Sequence, residues 1–382
     1  MTETKKILII SHVLPCLPSA GNEIRIYKML QWFKNYLQLE IIFLFNSDVS
    51  IEQKQDLEKT FGKVYSVNDN YPDACTDDNE VSIYDADNKV KQWFASVKLK
   101  KATKFLYDKY KPNIVLVEYI FSSPCLSLMP KDVLKIIDTH DVFSRRSEQV
   151  VKYGIKDDLP CTVEEEREYL LNADLILSIQ KEETKILCEI VPELKVITVG
   201  IDYEISNLQK QTIADRILIV GSDNPLNIHG IKEFLENVWS VIREELPNSS
   251  LHIVGKIGNN ITVNDSRVKI LGFVKDLSQE YARAAIVVNP TYAGTGLKIK
   301  SVEALAHGKV LVTTPNGSEG LLLDNHHHCF ITAKDSKEFI REIKAILSNE
   351  ETRIAMEKNA IEYSRQFFNT EIIYSELRNE LL

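Results

Sequence analysis

The sequence predicts an α/β fold made of two successive doubly wound halves, and three observations carry that prediction. Short runs rich in Ile, Leu and Val recur along the 382 residues, bounded by glycine, proline or polar clusters. Between many of them lie segments with apolar residues at helical spacing. The rhythm of strand, loop, helix and strand then restarts after a polar stretch near the middle of the chain.

The first half opens with Lys6–Ser11 (KILIIS), which reads as a buried parallel strand. A loop with Pro15, Pro18 and Gly21 follows, then a helix over Glu23–Tyr36 with Ile24, Tyr27, Met29, Leu30 and Phe33 near one face. Leu39–Phe45 is the next strand. Residues 69–88 are acidic, hold Pro72 and lack periodicity, which predicts a surface loop with solvated carboxylates. Val90–Tyr110 resumes helical character, and Ile114–Glu118, Leu134–Asp138, Leu175–Ile179 and Lys195–Thr198 read as strands. Tyr203–Ala214 is polar and reads as the interdomain connection. The second half restarts with a strand at Arg216–Val220, a loop at Gly221–Gly230 and a helix at Ile231–Leu246. Ser250–Val254, Lys269–Leu271, Ala285–Asn289 and Val310–Thr313 are its further strands.

Composition narrows the class. Lysine and arginine number 46 against 55 acids, a formal charge of −9, which argues against general nucleic-acid binding because that needs a basic face. Cys16, Cys75, Cys125, Cys161, Cys188 and Cys329 are far apart with no Cys-x-x-Cys, so neither a zinc site nor a disulfide framework is expected. No signal peptide and no apolar run of membrane-spanning length is present, which predicts a cytoplasmic protein. Lys98–Lys111 places Leu99, Ala102, Phe105, Leu106 and Tyr110 near one helix face, which predicts a core-facing helix with solvated lysines. The same lysines could meet an anionic membrane, leaving open a peripheral contact at the inner face of the plasma membrane. Glu164–Glu168 reads as a solvated helix face. His326–His328 are adjacent in sequence and cannot easily face one ion, so no metal is assigned there.

The stretch Val287–Gly308 carries the chemistry. A strand runs into a loop of small residues, Gly294, Thr295, Gly296 and Leu297, that opens a helix bearing Lys298, Lys300 and Glu303. Glycines let backbone approach a ligand closely, and N–H groups at a helix start favour anions. Lys298 adds positive charge where a diphosphate could sit. Glu303 can accept hydrogen bonds from vicinal hydroxyls such as those of a ribose. On residue types alone the segment is equally compatible with an ordinary strand-to-helix turn.

Gly294–Gly308, followed by Val310–Thr314 and Gly320-Leu321, resembles the donor-binding segment of family 4 of the retaining GT-B glycosyltransferases. It is similar to the bacterial branch with Gly-Thr-Gly-x-Lys-x-Lys before Glu-Ala-x-Ala. The resemblance implies two Rossmann-like domains facing each other across a cleft, with the C-terminal helix crossing back to the first. Residues 1–202 would form the acceptor side, 203–365 the donor side, and 366–382 the returning helix. Weaker similarities extend the assignment. Gly272-Phe273-Val274 resembles the segment that holds the base, while Gly221, Ser222 and Lys256 follow second-domain strands. Gly200-Ile201-Asp202 resembles the element that ends the first domain. Pro18–Arg25 resembles the glycine loop facing the donor, with Gly21 retained and Asn22 in place of the second glycine. Ile137–Asp141 resembles the strand end whose histidine, His140 here, reaches the sugar, with Asp141 beside it. Two positions depart from the family pattern: Thr295 stands where many members carry a glutamate near the sugar, and Gly221–Gly230 lacks an obvious diphosphate-binding arginine.

The resemblance therefore implies a nucleotide-sugar donor (UDP-, GDP- or other), an acceptor that is a glycan, a lipid-linked sugar or a glycoprotein, and no required cofactor or metal. It implies retention of configuration, with His140 and Lys298 in the catalytic roles. The other readings on the same architecture are an inactive subunit that stabilises a partner transferase and a sugar-nucleotide epimerase.

Overall fold

The computed structural model describes residues 4–18, 20–71, 89–152, 154, 156–157, 159–205, 211–321 and 328–382. The first half forms a seven-stranded parallel sheet from β1 (Lys6–Ser11), β2 (Glu40–Phe45), β3 (Gly62–Ser66), β4 (Ile114–Glu118), β5 (Leu134–Asp138), β6 (Leu175–Ser178) and β7 (Lys195–Thr198). Their spatial order is β3-β2-β1-β4-β5-β6-β7. The second half forms a six-stranded parallel sheet from β8 (Arg216–Val220), β9 (Ser250–Val254), β10 (Val268–Gly272), β11 (Ile286–Asn289), β12 (Val310–Thr313) and β13 (Phe330–Thr332), in the order β10-β9-β8-β11-β12-β13.

The helices of the first half are α1 (Gly21–Asn35), α2 (Ile51–Thr60), α3 (Lys89–Phe94), α4 (Val97–Tyr110), α5 (Phe143–Lys152), α6 (Val163–Leu170) and α7 (Lys181–Ile190). Those of the second are α8 (Pro225–Phe234), α9 (Ser240–Glu245), α10 (Ser278–Arg283), α11 (Ile299–Ala306), α12 (Ser336–Leu347) and α13 (Glu350–Phe367), and α14 (Thr370–Ile373) and α15 (Ser375–Leu381) close the chain.

Each sheet is covered on both faces, which is why its central strands read as unbroken apolar runs. In β1, successive residues do not alternate between core and solvent. Ile7, Leu8, Ile9 and Ile10 are all buried, with Leu8 and Ile10 in one apolar cluster and Ile7 and Ile9 in the other. The strands missing from the sequence prediction, β3 and β13, are sheet edges that are only partly buried, so they lack the continuous apolar run that marks the central strands.

Three further expectations are corrected. The helix placed at Ile231–Leu246 starts at Pro225, because Asn224 caps it through its side chain to the Leu226 N–H (2.8 Å) and proline suits the first helical position. It then runs through a π-helical turn at Leu235–Trp239 into α9. The helical stretch Val90–Tyr110 is two helices, with Ser96 capping the second through the Leu99 N–H. Glu164–Glu168 is not wholly solvated: Glu166 is fully buried and accepts hydrogen bonds from the Phe143 and Ser144 N–H groups and the Ser144 hydroxyl. The start of α5 has unpaired N–H donors that need an acceptor, and Glu166 supplies it.

On α4, Leu99, Ala102 and Leu106 are buried while Lys98, Lys109 and Lys111 are exposed. No helix among the described residues is long and apolar enough to cross a membrane. Residues 72–88 of the acidic segment (Cys75 among them), residues 206–210 of the connection, and His326 and His327 lie outside the described residues.

The end of the chain returns to the first sheet. Tyr374 stacks on Trp32 with ring centroids 4.5 Å apart, and Leu377 and Leu381 join the cluster of Ile7 and Ile9. Thr370 Oγ1 donates to Asp202 Oδ2 at 2.8 Å, tying this return to the end of the first half.

Candidate active site

Both sheets reverse their strand order at an equivalent place, between β1 and β4 in the first and between β8 and β11 in the second. Loops leaving two such neighbouring strands diverge, and the crevice between them at the carboxyl ends is where open α/β sheets bind ligands. The two crevices open into one cavity of about 820 Å³ between the halves. Its wall takes Gly21 and Asn22 from the start of α1, Tyr119 after β4, and His140 and Asp141 after β5. From the other side come Gly221 and Ser222 after β8, Lys256 after β9, Phe273 and Val274 after β10, and Thr295, Gly296, Leu297, Lys298, Lys300 and Glu303 after β11. Of the site residues the sequence singled out, Gly294 alone stays outside this wall.

The loop after β11 is held from both sides. Its glycines have φ of 112° at Gly294 and 76° at Gly296, a region that side chains rarely adopt. A Cβ on Gly296 would lie 2.9 Å from Asp141 Oδ1, so the first half presses directly on this loop. Three first-half side chains accept hydrogen bonds from it: Gln149 Oε1 from the Gly294 N–H (2.9 Å), Asp141 Oδ1 from the Thr295 hydroxyl (2.8 Å) and Glu183 Oε1 from the Gly296 N–H (2.7 Å).

The two lysines differ in position. The Lys298 ammonium donates to the carbonyls of Gly294, Thr295 and Gly296 at 3.1, 3.0 and 2.9 Å and lies 3.8 Å from Glu319. Its charge thus braces its own loop. Lys300 donates to Asn227 Oδ1 at 2.6 Å, and burial together with the neighbouring Lys298 pushes its pKa down to about 7. Helix α11 starts beside them at Ile299, so the N–H groups of Ile299 and Lys300 in its first turn lie at the cavity, while that of Ser301 donates to the Lys298 carbonyl at 2.7 Å.

Glu303, one turn further, is half-buried and accepts from the Tyr281 hydroxyl at 3.0 Å; desolvation of its carboxyl raises its pKa to about 7. Tyr281 also stacks on His307, another wall residue, at 4.4 Å between ring centroids. Across the cavity Asn22 Nδ2 donates to the Tyr119 hydroxyl at 3.0 Å, and Lys28 lies over the Tyr203 ring at 4.6 Å.

His140 sits in a buried charge network. Its Nε2 is 2.7 Å from Glu118 Oε2 and 3.5 Å from Asp138 Oδ2, and its ring stacks on Tyr119 at 4.2 Å. Its φ of 62° turns the chain sharply after β5 and delivers it to the cavity. Arg25 holds both Asp138 oxygens, at 2.8 and 2.7 Å, and donates to the Val199 and Gly200 carbonyls. Burial raises the Glu118 carboxyl to about 7, whereas the Arg25 guanidinium beside Asp138 keeps that carboxyl low despite its burial. Glu118, Asp138 and His140 are the group among the described residues whose ligand atoms converge within 4.8 Å in a way that could hold a metal ion. Arg25 already supplies the positive charge there.

Glu183, Gln149, Arg25, Glu118 and Tyr281 were not singled out from the sequence. Arg25 had a legible signal, since an arginine amid Ile24, Tyr27 and Met29 on an amphipathic helix needs a buried acid. Glu183 and Gln149 had none, because their partners are more than 110 residues away in sequence.

Residues 214–349 match the family model described as Glycosyl transferases group 1. An uncharacterized 44.6 kDa protein in the cps region of Klebsiella pneumoniae is 24% identical over 176 residues, which is 43% of this chain and 45% of that protein. The match thus spans less than half the length of that relative. Among solved structures, HepE of Anabaena in complex with UDP and glucose superposes with a TM-score of 0.69 at 14% identity, covering 99% of each chain. The pneumococcal O-GlcNAc transferase GtfA in complex with UDP and GlcNAc gives 0.71 at 12% identity, and the sucrose-phosphate synthase of Thermosynechococcus elongatus gives 0.70 at 15%, each again covering 99% of both chains. The fold is GT-B, and within the second half residues 214–349 are similar to the group 1 glycosyltransferases.

Proposed function

We propose that this glycosyltransferase moves a sugar from a nucleotide-sugar donor to a hydroxyl-bearing acceptor, with retention of configuration and without a metal. One observation carries the reading: the two ligand crevices of the GT-B fold meet in a single cavity walled by the Thr295–Glu303 segment and by His140. In this reading Glu303 takes the ribose hydroxyls, and Phe273 and Val274 lie along the base. Lys300, Lys256 and the first-turn N–H groups of α11 meet the diphosphate, whose developing charge they stabilise as the sugar leaves. Lys298 supports that site by holding the loop carbonyls inward. His140, oriented by Glu118, faces the sugar.

The likeness to proteins solved with UDP supports a nucleoside diphosphate leaving group. The cps-region relative supports an acceptor in surface-polysaccharide assembly, whether a glycan or a lipid-linked sugar. The exposed lysines of α4 would then let the enzyme rest on the anionic inner face of a membrane while remaining cytoplasmic.

A thermal-shift screen against nucleoside diphosphates and their sugars tests the donor reading. One nucleotide and its sugar should raise the melting temperature, since a ligand at 100 times its Kd adds about 2.7 kcal/mol. No response to any of them would remove the donor site.

A further inference from the structure

We propose that Glu183 is a positioning residue for the donor loop, and that its acceptance of the Gly296 N–H across the cleft fixes the loop in its donor-binding shape. The inference rests on the donor reading above for its consequence, though not for its geometry.

Glu183 lies in the first turn of α7 on the first half and is 2% exposed. Its Oε1 is 2.7 Å from the Gly296 nitrogen, the shortest of the three hydrogen bonds that join this loop to the first half. Gly296 has few alternatives. At φ 76° it is in the left-handed region, with Asp141 Oδ1 and the His140 carbonyl where a Cβ would stand. The loop's own carbonyls at Gly294, Thr295 and Gly296 are taken by Lys298. A buried N–H left without an acceptor is unfavourable, so loss of Glu183 disfavours this shape of the loop at Gly296.

The protonation state suits a site that receives a diphosphate. Burial and the adjacent Asp141 raise the Glu183 carboxyl to about 8, which favours the protonated acid near neutral pH, and its Oε2 has no hydrogen-bond partner among the described residues. An uncharged acid can still accept through Oε1, and it does so without placing a further negative charge against the loop. The charged groups facing it are Asp141 after β5, Lys298 of the loop and Arg25 of α1.

An uncharged acceptor should be replaceable by an amide. Hydrogen exchange of the peptide spanning 289–299, measured without nucleotide, reads the positioning directly. Exchange at Gly296 should be at least tenfold faster in Glu183→Leu and stay within threefold of wild type in Glu183→Gln. Glu183→Asp, which draws the carboxyl back by one methylene, should behave like the leucine variant and serves if that variant does not fold. In donor turnover, with UDP-glucose and GDP-mannose assayed in parallel, KM should rise about tenfold in Glu183→Leu and Glu183→Asp with kcat within threefold, and Glu183→Gln should restore KM. Unchanged exchange in both Glu183→Leu and Glu183→Asp would overturn the proposal, as would a glutamine variant that exchanges like leucine. If neither donor turns over with wild type and no nucleotide or nucleotide sugar in the thermal-shift screen stabilises it, the donor reading fails while the exchange result still decides the role of Glu183.

Discussion

Glu303 Oε2 accepts a hydrogen bond from the Tyr281 hydroxyl at 3.0 Å, three residues along α11 from Lys300. Both side chains, of Glu303 and of Lys300, line the cavity, and both are poised to titrate near neutrality, at about 7 each. A ligand whose hydroxyls donate to Glu303 favours the ionised carboxylate, so affinity should rise with pH up to about 7. A ligand whose diphosphate meets Lys300 favours the ammonium, so affinity should fall as pH passes about 7. Calorimetry with an intact nucleotide sugar, whose diphosphate charge is constant here, should therefore give a bell-shaped profile. Glu303→Gln should flatten the acid limb and Lys300→Met the alkaline limb. A flat wild-type profile would contradict both roles.

Removing the carboxyl outright should weaken binding more. If Glu303 takes the ribose hydroxyls as proposed, Glu303→Ala deletes their acceptor, an effect of about 1.5–3 kcal/mol or roughly 10- to 150-fold in Kd. Tyr281→Phe, which removes only the neighbouring donor, should cost less than about tenfold. Unchanged nucleotide-sugar affinity in Glu303→Ala, read by titration calorimetry, removes Glu303 from the site.

The Arg25–Asp138 pair is buried on both sides, and Arg25 also braces the Val199 and Gly200 carbonyls. Arg25→Ala strands an ionised carboxylate, and breaking a buried pair in this way costs about 3–5 kcal/mol. Urea unfolding should show that loss, and Arg25→Met combined with Asp138→Asn should recover part of it. A loss below about 1 kcal/mol would mean that the pair is dispensable.

Glu166 caps α5 through two N–H groups and a hydroxyl. Glu166→Ala should cost about 2–3 kcal/mol in the same assay, because it leaves buried donors unpaired. Its carboxyl is raised by burial, so the native state holds the proton more tightly than the unfolded chain. Its contribution to stability should then decline as pH rises from the ordinary carboxylate pKa towards the raised native one. A stability difference between wild type and Glu166→Gln that does not change over that range would contradict this.

How much the sequence disclosed follows from the range of each interaction. Central strands such as Lys6–Ser11 and Arg216–Val220 were legible because burial on both faces leaves unbroken apolar runs. The edge strands β3 and β13 were not, since β3 (GKVYS) has only Val64 and Tyr65 as apolar residues and β13 (FIT) is three residues long. The segment that lines the cavity after β11 was legible because its glycines, lysines and glutamate are contiguous. Its clasp was hidden, because Gln149, Asp141 and Glu183 come from three different places in the first half and meet the loop only through the fold. Lys298 shows the same limit: its spacing marks it as a cation at the loop, whereas its direction, towards its own carbonyls, needs coordinates.

The cavity between the halves should turn over a nucleotide sugar without a metal. The most direct measurement is release of nucleoside diphosphate from UDP- and GDP-linked sugars, followed by phosphorus NMR with and without EDTA. Release is expected from at least one donor, at equal rates in both conditions and at least about tenfold slower in Lys300→Met. No release from any donor, or release abolished by EDTA and restored by a divalent cation at Glu118, Asp138 and His140, would contradict it.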